Sequence, residues 1–342
     1  MCANVEEADL KVLSIAMNAP SSRIRIFQMA EYLKKYDIDV KVKTFPMSIK
    51  ELTDILKKEE YELIWFQKKL PNIPMAFAFL RHSKAPIVFD FDDNILVKMM
   101  PKDGSYRSKG REFKFKLVKL LSSGFTCCSS FLKSKVDNSK KPCFIYPTPV
   151  PINVPKKDCN TLNHPLILGW VGLSGNFPYL DRVMSHFERL RRDVDFKLII
   201  LSDKDYPKKY DFIENVKWNL ETQEQEISKF DIGIMPLNTE SPYDKGKCSY
   251  KLLQYMASGV IPVGEAYGMN LDVIKDKVNG FLVYNNDWYG TLKKIIEGIK
   301  SGSINYCKLS KEAIRTVVDG YSYESLAPKL ASFLREIALK RR

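Results

Sequence analysis

The feature that most constrains the fold of this chain is a regular alternation of strand-like and helix-like segments. The segment "KVLSIAM" reads as a strand, "SRIRIFQMAEYLKKY" carries apolar residues at helical spacing, and "IDVKVKTF" alternates as a strand again. Further strand-like runs, among them "YELIWFQ" and "APIVFDF", are each followed by a helix-like segment. Such a succession of βα units predicts a parallel sheet that is covered by helices on both faces.

The alternation is interrupted once, by a proline-rich stretch that predicts a linker. Five prolines lie between Pro147 and Pro165, and the alternation resumes at "LILGWVGL". We therefore predict an α/β protein with two doubly wound, Rossmann-like domains that face a ligand-binding cleft. The predicted boundaries are 1–150 for the first domain, 151–163 for the linker, 164–325 for the second domain and 326–342 for a C-terminal helix that packs back on the first.

Positive charge is concentrated in one segment. The chain has a formal net charge of +13, and residues 98–141 hold twelve Lys or Arg against three Asp or Glu. Aromatic residues alternate with these cations, which is typical of a solvated helix face or of a surface that meets anionic lipid. Nucleic acid is not expected as a partner, because no recognised binding motif accompanies the charge.

Cysteine usage and the N-terminus predict a cytoplasmic protein. The seven cysteines are odd in number and form no CxxC pair, which favours a reducing compartment over a disulfide framework. The adjacent Cys127 and Cys128 are interpreted as small buried residues of a strand, with a metal or redox role as the alternative. No apolar run approaches the roughly 18 residues of a membrane span, and the acidic N-terminus is a poor signal peptide.

The segment "DKGKCSYKLLQYMASGVIPVG" predicts a helix that begins at an anion site. Ser249 is a candidate N-cap whose hydroxyl accepts from a backbone N–H, and Gly259 suits the left-handed residue that ends a helix. Lys251 and Gln254 are three residues apart and share a helix face. The first turn would offer N–H groups, a favourable dipole and ammonium groups to an oxyanion, and Gly246 would let the backbone approach it.

Two further glycine-rich turns follow strands in the same half of the chain. One is "VGEAYGMN", in which Gly268, Met269 and Asn270 open a helix, and the other is "GWVGLSGN", which contains Gly172. Three such turns at strand ends predict a diphosphate site. Neither a GxxxxGK[ST] loop nor a GxGxxG fingerprint is present, so ATPase and NAD-binding interpretations lack their main support.

These motifs together resemble the GT-B glycosyltransferases, in particular the large retaining group called family four. The resemblance is carried by "LGWVGLSGNFPYLDRV", "FDIGIMPL", "YDKGKCSYKLLQYMASGVIPVG" and "NGFLVYNNDWYGTLKKII" in the second half and by "SSRIRIFQMAEYL" and "PIVFDFDDNIL" in the first. It implies a sugar donor that is a nucleotide diphosphate sugar held by the second domain, an acceptor held by the first, and transfer with retention and without a metal or other cofactor.

The resemblance also assigns residues to the donor. Relatives contact the base after the strand that ends near Trp218, so a backbone contact is expected there. The predicted donor-binding residues are Gly172, Ser174, Asn219, Leu220, Asp244, Gly246, Lys247, Ser249, Lys251, Gln254, Gly268, Met269 and Asn270.

The chain departs from the family pattern at charged positions. Two family glutamates, one for the donor sugar and one for the ribose, fall at Gly246 and Gln254 of this sequence. Gln254 can still hydrogen-bond a ribose diol, whereas Gly246 has no side chain to offer. The basic pair of the family is replaced by Ser174 and Asn176. Lys247 and Lys251 could supply the lost charge, and Lys247 is therefore also a candidate catalytic residue.

The sequence "FDFDD" places three aspartates at the end of a strand in the first domain. Asp90 and Asp92 point to the same side by alternation, and Asp93 enters the loop. A metal-binding DxD would require another architecture, and a dehalogenase nucleophile DxDxT is disfavoured because Asn94 stands at the threonine position and the strand is the fourth rather than the first. Many relatives carry a functional histidine where Asp92 falls, so an acceptor-binding or general-base carboxylate at Asp92 or Asp93 is weighed against a structural turn cap.

Basic residues that follow the first strand are candidates for binding phosphate. Ser21, Arg23 and Arg25 open the first helix, where they could contact phosphate of the donor or of a charged acceptor. Surface salt bridges are the alternative for the two arginines.

The sequence thus predicts a cytoplasmic glycosyltransferase, with peripheral contact at the inner membrane surface as one option, that acts on a glycan, a lipid-linked molecule or another acceptor, as in the biosynthesis of cell-envelope glycans. Two alternatives stay open. One is a degenerate GT-B protein that binds a nucleotide or glycan without transfer, and the other is a sugar-nucleotide epimerase or hydrolase of the same fold.

Overall fold

The computed structural model describes residues 9–58, 60–99, 101 and 103–340. The part of the sequence prediction about the N-terminus that concerns residues 1–8 lies outside these ranges. The described chain divides into two units. The first comprises residues up to Pro149, Ser241–Cys248 and the C-terminal segment from Tyr323, and the second comprises Val150–Glu240 and Ser249–Ser322. The segment 151–163, predicted as a linker, thus lies in the second unit.

The first unit is built on a six-stranded parallel sheet. Its strands are β1 (Leu10–Ala16), β2 (Ile38–Thr44), β3 (Leu63–Gln67), β4 (Ile87–Phe91), β5 (Gly124–Cys127) and β6 (Cys143–Ile145). Its α-helices are α1 (Pro20–Ser22), α2 (Met29–Leu33), α3 (Ile49–Lys58), α4 (Ile73–His82), α5 (Lys109–Leu121), α6 (Ser130–Lys133) and α14 (Tyr323–Leu339), with a π-helix at Arg23–Gln28 and 3₁₀ turns at Lys34–Tyr36, Asp137–Ser139 and Asp244–Gly246.

The second unit has the same architecture. Its strands are β7 (Leu166–Val171), β8 (Phe196–Ser202), β9 (Ile213–Lys217), β10 (Ile232–Met235), β11 (Ile261–Glu265) and β12 (Phe281–Val283). Its helices are α7 (Phe177–Asp181), α8 (Met184–Asp193), α9 (Gln223–Ile227), α10 (Tyr250–Ala257), α11 (Asn270–Val273), α12 (Trp288–Ser301) and α13 (Tyr306–Gly320), with a 3₁₀ turn at Ser174–Asn176. A turn at Arg182 and Val183 separates α7 from α8.

The strand order of each sheet fixes where a ligand can bind. The first sheet runs β2-β1-β3-β4-β5-β6 and the second runs β12-β11-β10-β7-β8-β9, with every neighbouring pair parallel. The order reverses between β1 and β3 in one sheet and between β7 and β10 in the other. Ligands of doubly wound sheets bind beyond the carboxyl ends of the strands near such switch points. The predicted fold of two Rossmann-like domains is confirmed.

Burial explains why these segments form strands. Every residue of β3 and of β4 is buried, as expected for central parallel strands that are covered on both faces. The edge strands β2 and β9 consist mainly of half-buried and exposed positions instead. Several helices begin at a side-chain cap, as at Asn72, whose Oδ1 accepts from Met75 N at 2.9 Å. None of the helices in the described ranges has the length and apolarity that crossing a bilayer requires.

One pair of cysteines forms a disulfide that the sequence analysis did not anticipate. Cys159 and Cys307 form a disulfide within the second unit, so the cysteines are not all thiols. The pair is separated by 148 residues in sequence, and it is brought together only when α13 packs beside the segment that precedes β7. Cys127 and Cys128 are both buried, as predicted for small residues at the end of a central strand.

Candidate functional site

Two carboxylates and a lysine meet at the carboxyl edge of the first sheet. Asp92 and Asp93 follow β4, and Lys68 follows the neighbouring strand β3 in a left-handed conformation with φ of 59°. The Lys68 Nζ lies 2.9 Å from Asp92 Oδ1 and donates to the carboxylate of Asp93. This group lies next to the β1–β3 switch point, where the strand order predicts a ligand.

The environment drives the pKa values of the two carboxyls apart. Burial by itself raises the pKa of Asp92, but the charges of Lys68 and Arg25 and hydrogen bonds from Lys68 and Ser21 outweigh it and lower that pKa. The pKa of Asp93 is raised, chiefly by burial and then by the Asp92 charge, and Lys68 and Lys247 offset this only in part. Asp92 is thus held as an anion, whereas Asp93 is the member suited to accept and release a proton.

Lys68 carries its charge despite burial. Desolvation lowers the pKa of this lysine, but the charges of Asp92 and Asp93 and hydrogen bonds to them raise it above its ordinary value. Sequence reasoning missed Lys68, although "WFQKKL" directly after a buried strand was an available signal. In the described ranges no group of three or more His, Cys, Asp or Glu side chains is arranged to hold a metal ion.

The loop Ser241–Cys248 belongs to the first unit although it lies in the second half of the sequence. The loop contacts the turn after β4 that contains Asp92 and Asp93, which we call the acidic turn. In this contact, Asn94 Nδ2 donates to Pro242 O at 2.8 Å. A Cβ at Gly246 would lie 2.6 Å from the backbone N of Asn94 and 2.6 Å from its Cβ. This close approach leaves no room for a side chain at position 246.

The same loop brings further polar groups to the acidic turn. Burial raises the pKa of the Tyr243 hydroxyl, and Asp93, with which it is hydrogen-bonded, adds to the shift. Burial lowers the pKa of Lys247, and the charges of Asp244 and Asp93 oppose that effect. The Lys247 Nζ lies 3.6 Å from the carboxylate of Asp244, which is itself buried. Asp244, Gly246 and Lys247 thus lie beside Asp93 in the first unit, and their predicted donor contacts stay predictions.

The predictions for the arginines after β1 need one correction. Arg25 is fully buried, and its Nε donates to Asp90 Oδ2 at 3.0 Å while its Nη1 donates to Tyr146 O at 2.8 Å. It also donates to Thr148 Oγ1 at 3.1 Å. With its donors used inside the sheet, Arg25 is neither a phosphate ligand nor part of a surface salt bridge. Its partner Asp90 is likewise occupied in the core.

Arg23 and Ser21 differ from Arg25 in exposure. Both are half-buried, and the buried Nε of Arg23 has no hydrogen-bond partner among the described residues. The Ser21 hydroxyl contributes a hydrogen bond to Asp92. The phosphate contacts predicted for Arg23 and Ser21 stay predictions.

In the second unit, the turn after β7 and the segment after β11 both contact the start of α10. A Cβ at Gly172 would lie 3.1 Å from Lys251 Cε, so the first turn of α10 touches the turn after β7. The Lys251 Nζ lies 5.6 Å from the centre of the Trp170 ring. On the other side of α10, Ser249 Oγ donates to Asn270 Oδ1 at 2.7 Å. The ammonium group of Lys251 is therefore held at the carboxyl edge of the sheet, next to the β7–β10 switch point.

Ser249 does not act as the predicted N-cap. Its backbone is left-handed, with φ of 50°, and its hydroxyl makes no capping bond to α10. The hydroxyl instead bonds Asn270, whose Nδ2 donates to Glu265 O at 2.9 Å. Ser249 thus links α10 to α11, a long-range role that the local sequence pattern did not reveal.

The remaining predicted donor residues are placed as follows. Gln254 is buried on α10, and Met269 is buried at the start of α11 behind the left-handed Gly268. Ser174 Oγ donates to Asp203 Oδ2 at 3.1 Å in the turn after β7. Asn219 and Leu220 are exposed beyond the edge strand β9.

Glu265 is a residue that sequence reasoning did not single out. It ends β11, is buried, and accepts from Trp288 Nε1 at 2.8 Å. Burial raises the pKa of this carboxyl. The predicted helix end at Gly259 is observed, with φ of 72° after α10.

Comparison with known proteins agrees with this architecture. Residues 166–301, from β7 to the end of α12, match the family described as Glycosyl transferases group 1. No curated protein sequence matches the chain.

Solved structures of similar fold cover nearly the whole chain. A glycosyltransferase from Rickettsia africae is 14% identical, with a TM-score of 0.69 and coverage of 96% of this chain and 98% of its own. HepE from Anabaena, solved in complex with UDP and glucose, is 15% identical, with a TM-score of 0.70 and coverage of 95% and 99%. Sucrose-phosphate synthase from Thermosynechococcus elongatus is 12% identical, with a TM-score of 0.73 and coverage of 96% and 99%.

The sequence motifs, the two parallel sheets and these comparisons lead to the same assignment. Residues 166–301 match the glycosyl transferases group 1 family, and the whole chain has the two-domain fold of the solved GT-B glycosyltransferases.

Proposed function

We propose that this protein transfers a sugar from a nucleotide diphosphate sugar, with the diphosphate bound by the second unit. The observation that supports the proposal is that the turn after β7 lies against Lys251, and Asn270 of the segment after β11 against Ser249, at the N-terminus of α10. A helix N-terminus and an adjacent ammonium group suit a diphosphate. That HepE was solved with UDP makes uridine nucleotides the first donors to test.

The chemistry requires stabilisation of the leaving group. As the bond between the sugar and the β-phosphate breaks, negative charge develops on the phosphate oxygens. The N–H groups at the start of α10 and the charge of Lys251 would oppose that charge without a metal. Loss of one such contact costs about 3 kcal/mol of barrier in comparable sites.

The proposed proton acceptor is Asp93 in the first unit. In this scheme the acceptor hydroxyl bonds to the sugar carbon on the face from which the diphosphate leaves, the bond from that carbon to the β-phosphate oxygen breaks, and the hydroxyl proton passes to the carboxylate of Asp93. Asp92 stays ionised, and Lys68 orients both carboxyls. A raised pKa suits a general base, since it brings proton affinity nearer to the working pH. Retention of configuration and independence of metal ions belong to the proposal through the family resemblance.

A lipid-linked acceptor and peripheral contact with an anionic membrane, as for an enzyme of cell-envelope glycan synthesis in the cytoplasm, also belong to the proposal. Their support is a face of the first unit formed by α4 and α5. Ile73, Phe77 and Leu80 lie on one side of α4 and are 65%, 64% and 61% exposed. The neighbouring α5, inside the basic segment 98–141, exposes Phe113 and Leu120 among its lysines. Apolar and cationic groups on one face suit the surface of anionic lipid.

The second candidate is a GT-B protein that binds a nucleotide or glycan without transferring a sugar. The observation in its favour is Gly246, because Asn94 occupies the space that a catalytic glutamate would need. An epimerase or a hydrolase of the same fold is a third candidate.

A donor panel separates these candidates. The purified protein is incubated with UDP- and GDP-sugars, with and without a mixed glycan and lipid-phosphate acceptor preparation, and released nucleotide diphosphate and sugar products are measured. Acceptor-dependent release together with a glycosylated product is expected. Acceptor-independent release would indicate hydrolysis, a changed sugar without transfer would indicate epimerisation, and binding with no turnover of any donor would indicate the degenerate candidate.

A further inference from the structure

A cavity of about 590 Å³ lies in the first unit beside the acidic turn. Its lining includes Lys68 and Tyr243, which both contact Asp93. The cavity is therefore adjacent to the proposed proton acceptor and lies entirely within one unit. A molecule bound in it would have its reactive group within reach of that carboxylate.

Four cationic side chains line this cavity: Lys68, Lys69, Arg111 and Lys114. Lys68 is paired with the two carboxylates. Within the described part of the chain, Lys69, Arg111 and Lys114 form no ion pair, and Lys69 instead lies 5.5 Å from the centre of the Phe45 ring. Arg111 uses one donor, Nη1, on Ile95 O at 3.1 Å. The cavity thus has a positive charge that the protein does not neutralise, which suits an anionic ligand.

The rest of the lining is mainly apolar. Leu70, Ile95, Val97 and Met99 contribute side chains to the wall, and Met99 is 52% exposed although it is large and apolar. A purely polar anion, such as a free sugar phosphate, would leave this surface without a matching group. An apolar chain attached to the anion would cover it.

We infer that this cavity binds the acceptor as an amphiphilic anion, in which a phosphate or diphosphate is joined to an apolar chain. Lys114 and Arg111, both exposed on α5, hold the anionic group at the entrance, and the apolar residues hold the first part of the chain. This inference deepens the proposed function and rests on it for the word acceptor, whereas the binding itself needs no transfer.

The test is a titration of the full-length protein without nucleotide sugar. Dodecyl phosphate below its micelle concentration is compared with inorganic phosphate and with neutral dodecyl maltoside by isothermal titration calorimetry. We expect dodecyl phosphate to bind at least about tenfold more tightly than either other probe. If inorganic phosphate bound as tightly as dodecyl phosphate, the apolar wall would not contribute to binding and the inference would be contradicted. If dodecyl maltoside bound as tightly as dodecyl phosphate, the cations would not contribute and the inference would likewise be contradicted.

A matched pair of variants locates the site. Lys114→Glu and Lys116→Glu make the same change of charge on the same helix, but Lys114 lines the cavity and Lys116 is exposed outside it. Lys114→Glu is expected to weaken dodecyl phosphate binding about tenfold or more, and Lys116→Glu less than about twofold. Equal losses in the two variants would overturn the inference, because they would indicate general attraction by a basic surface. Thermal unfolding of both variants confirms that each is folded.

The outcome is separable from that of the proposed function. If dodecyl phosphate does not bind, the donor panel can still test the proposed function. That assay uses a mixed acceptor preparation and measures released nucleotide diphosphate and sugar products. Conversely, a protein that binds dodecyl phosphate in this cavity but turns over no donor would retain the amphiphile site and lose the transferase assignment.

Discussion

Lys68 shows how one residue can give two neighbouring carboxylates different chemistry. Lys68 pairs with both Asp92 and Asp93, but only the pKa of Asp92 is lowered further by Arg25 and Ser21. At Asp93, burial and the Asp92 charge raise the pKa more than Lys68 and Lys247 lower it. A difference in surroundings, rather than in residue type, therefore distinguishes the constant anion from the proton acceptor.

The pH dependence of transfer follows from this arrangement. Activity requires the ionised form of Asp93, so it falls as the pH drops through the pKa of that carboxyl, which is raised above the ordinary value of about 4. Asp92→Asn removes a charge that raises this pKa, so the acidic limb of kcat/KM is expected to move to lower pH. Lys68→Met removes a charge that lowers it, so the limb is expected to move to higher pH.

The control for these two variants is Asp93→Asn. It is expected to lower kcat by about 100-fold or more and to abolish the acidic limb. Shifts of the limb in the same direction for Asp92→Asn and Lys68→Met would contradict the proposed role of Asp93.

Gly246 provides a test of packing at single-residue resolution. A Cβ here would lie 2.6 Å from the backbone N of Asn94, so Gly246→Ala is expected to lower the free energy of unfolding by about 1–3 kcal/mol. Gly175→Ala is the matched control, since it also lies in a 3₁₀ turn but has no atom within 4 Å of the added Cβ. Chemical denaturation measures both, and equal stability of the two variants would contradict the close approach.

At the scale of elements, a buried ion pair joins the helix after β1 to the centre of the first sheet. Arg25 in the π-helix bonds Asp90 at the end of β4 and the backbone beyond β6 at Tyr146. Asp90 also accepts from Thr126 Oγ1 at 2.8 Å in β5. One charged pair thus ties together elements that are distant in sequence.

Removal of Arg25 is expected to affect stability rather than ligand binding. Arg25→Met leaves Asp90 as a buried charge without its main partner, which costs about 3–5 kcal/mol of unfolding free energy. Arg23→Met, at a half-buried position two residues earlier, is expected to cost less than about 1 kcal/mol. Chemical denaturation measures the unfolding free energy of both variants. A larger loss of unfolding free energy in Arg23→Met than in Arg25→Met would refute the structural role of Arg25.

The exposed face of α4 leads to a prediction about membranes. The double variant Phe77→Ser/Leu80→Ser is expected to reduce co-sedimentation with phosphatidylglycerol vesicles about tenfold or more, because both side chains would lose contact with lipid. The control is Val278→Ser/Val318→Ser, which removes two exposed apolar side chains from the second unit. Similar losses in the two double variants, or no binding by the unaltered protein, would contradict a membrane role for this face.

At the scale of the whole molecule, the sequence predicted the fold well because the relevant signals are local. Buried parallel strands are continuous apolar runs, and helices repeat their apolar residues at a fixed spacing. The turns after β7 and β11 were recognised for the same reason, since each glycine cluster directly follows its strand.

The features that sequence reasoning missed depend on contacts between distant segments. The pairing of Lys68 with Asp92 and Asp93 requires β3 to lie beside β4, and the position of Gly246 requires a loop from the second half of the chain to join the first unit. From the sequence alone, Arg25 is expected at the surface, because its burial depends on pairing with Asp90, which is itself buried. The Cys159–Cys307 disulfide and the left-handed Ser249 are likewise products of tertiary packing.

The central claim is that the turn after β7 and the N-terminus of α10 with Lys251 form a nucleotide diphosphate site, and the most direct test compares the binding of UDP and uridine. Isothermal titration is carried out on the unaltered protein, on Lys251→Ala and on the control Lys229→Ala, an exposed lysine just before β10 at the opposite edge of the same sheet. We predict that Lys251→Ala weakens UDP binding about tenfold or more and changes uridine binding less than about twofold, while Lys229→Ala changes neither. Equal losses for UDP and uridine in Lys251→Ala, or no UDP binding by the unaltered protein, would contradict the account.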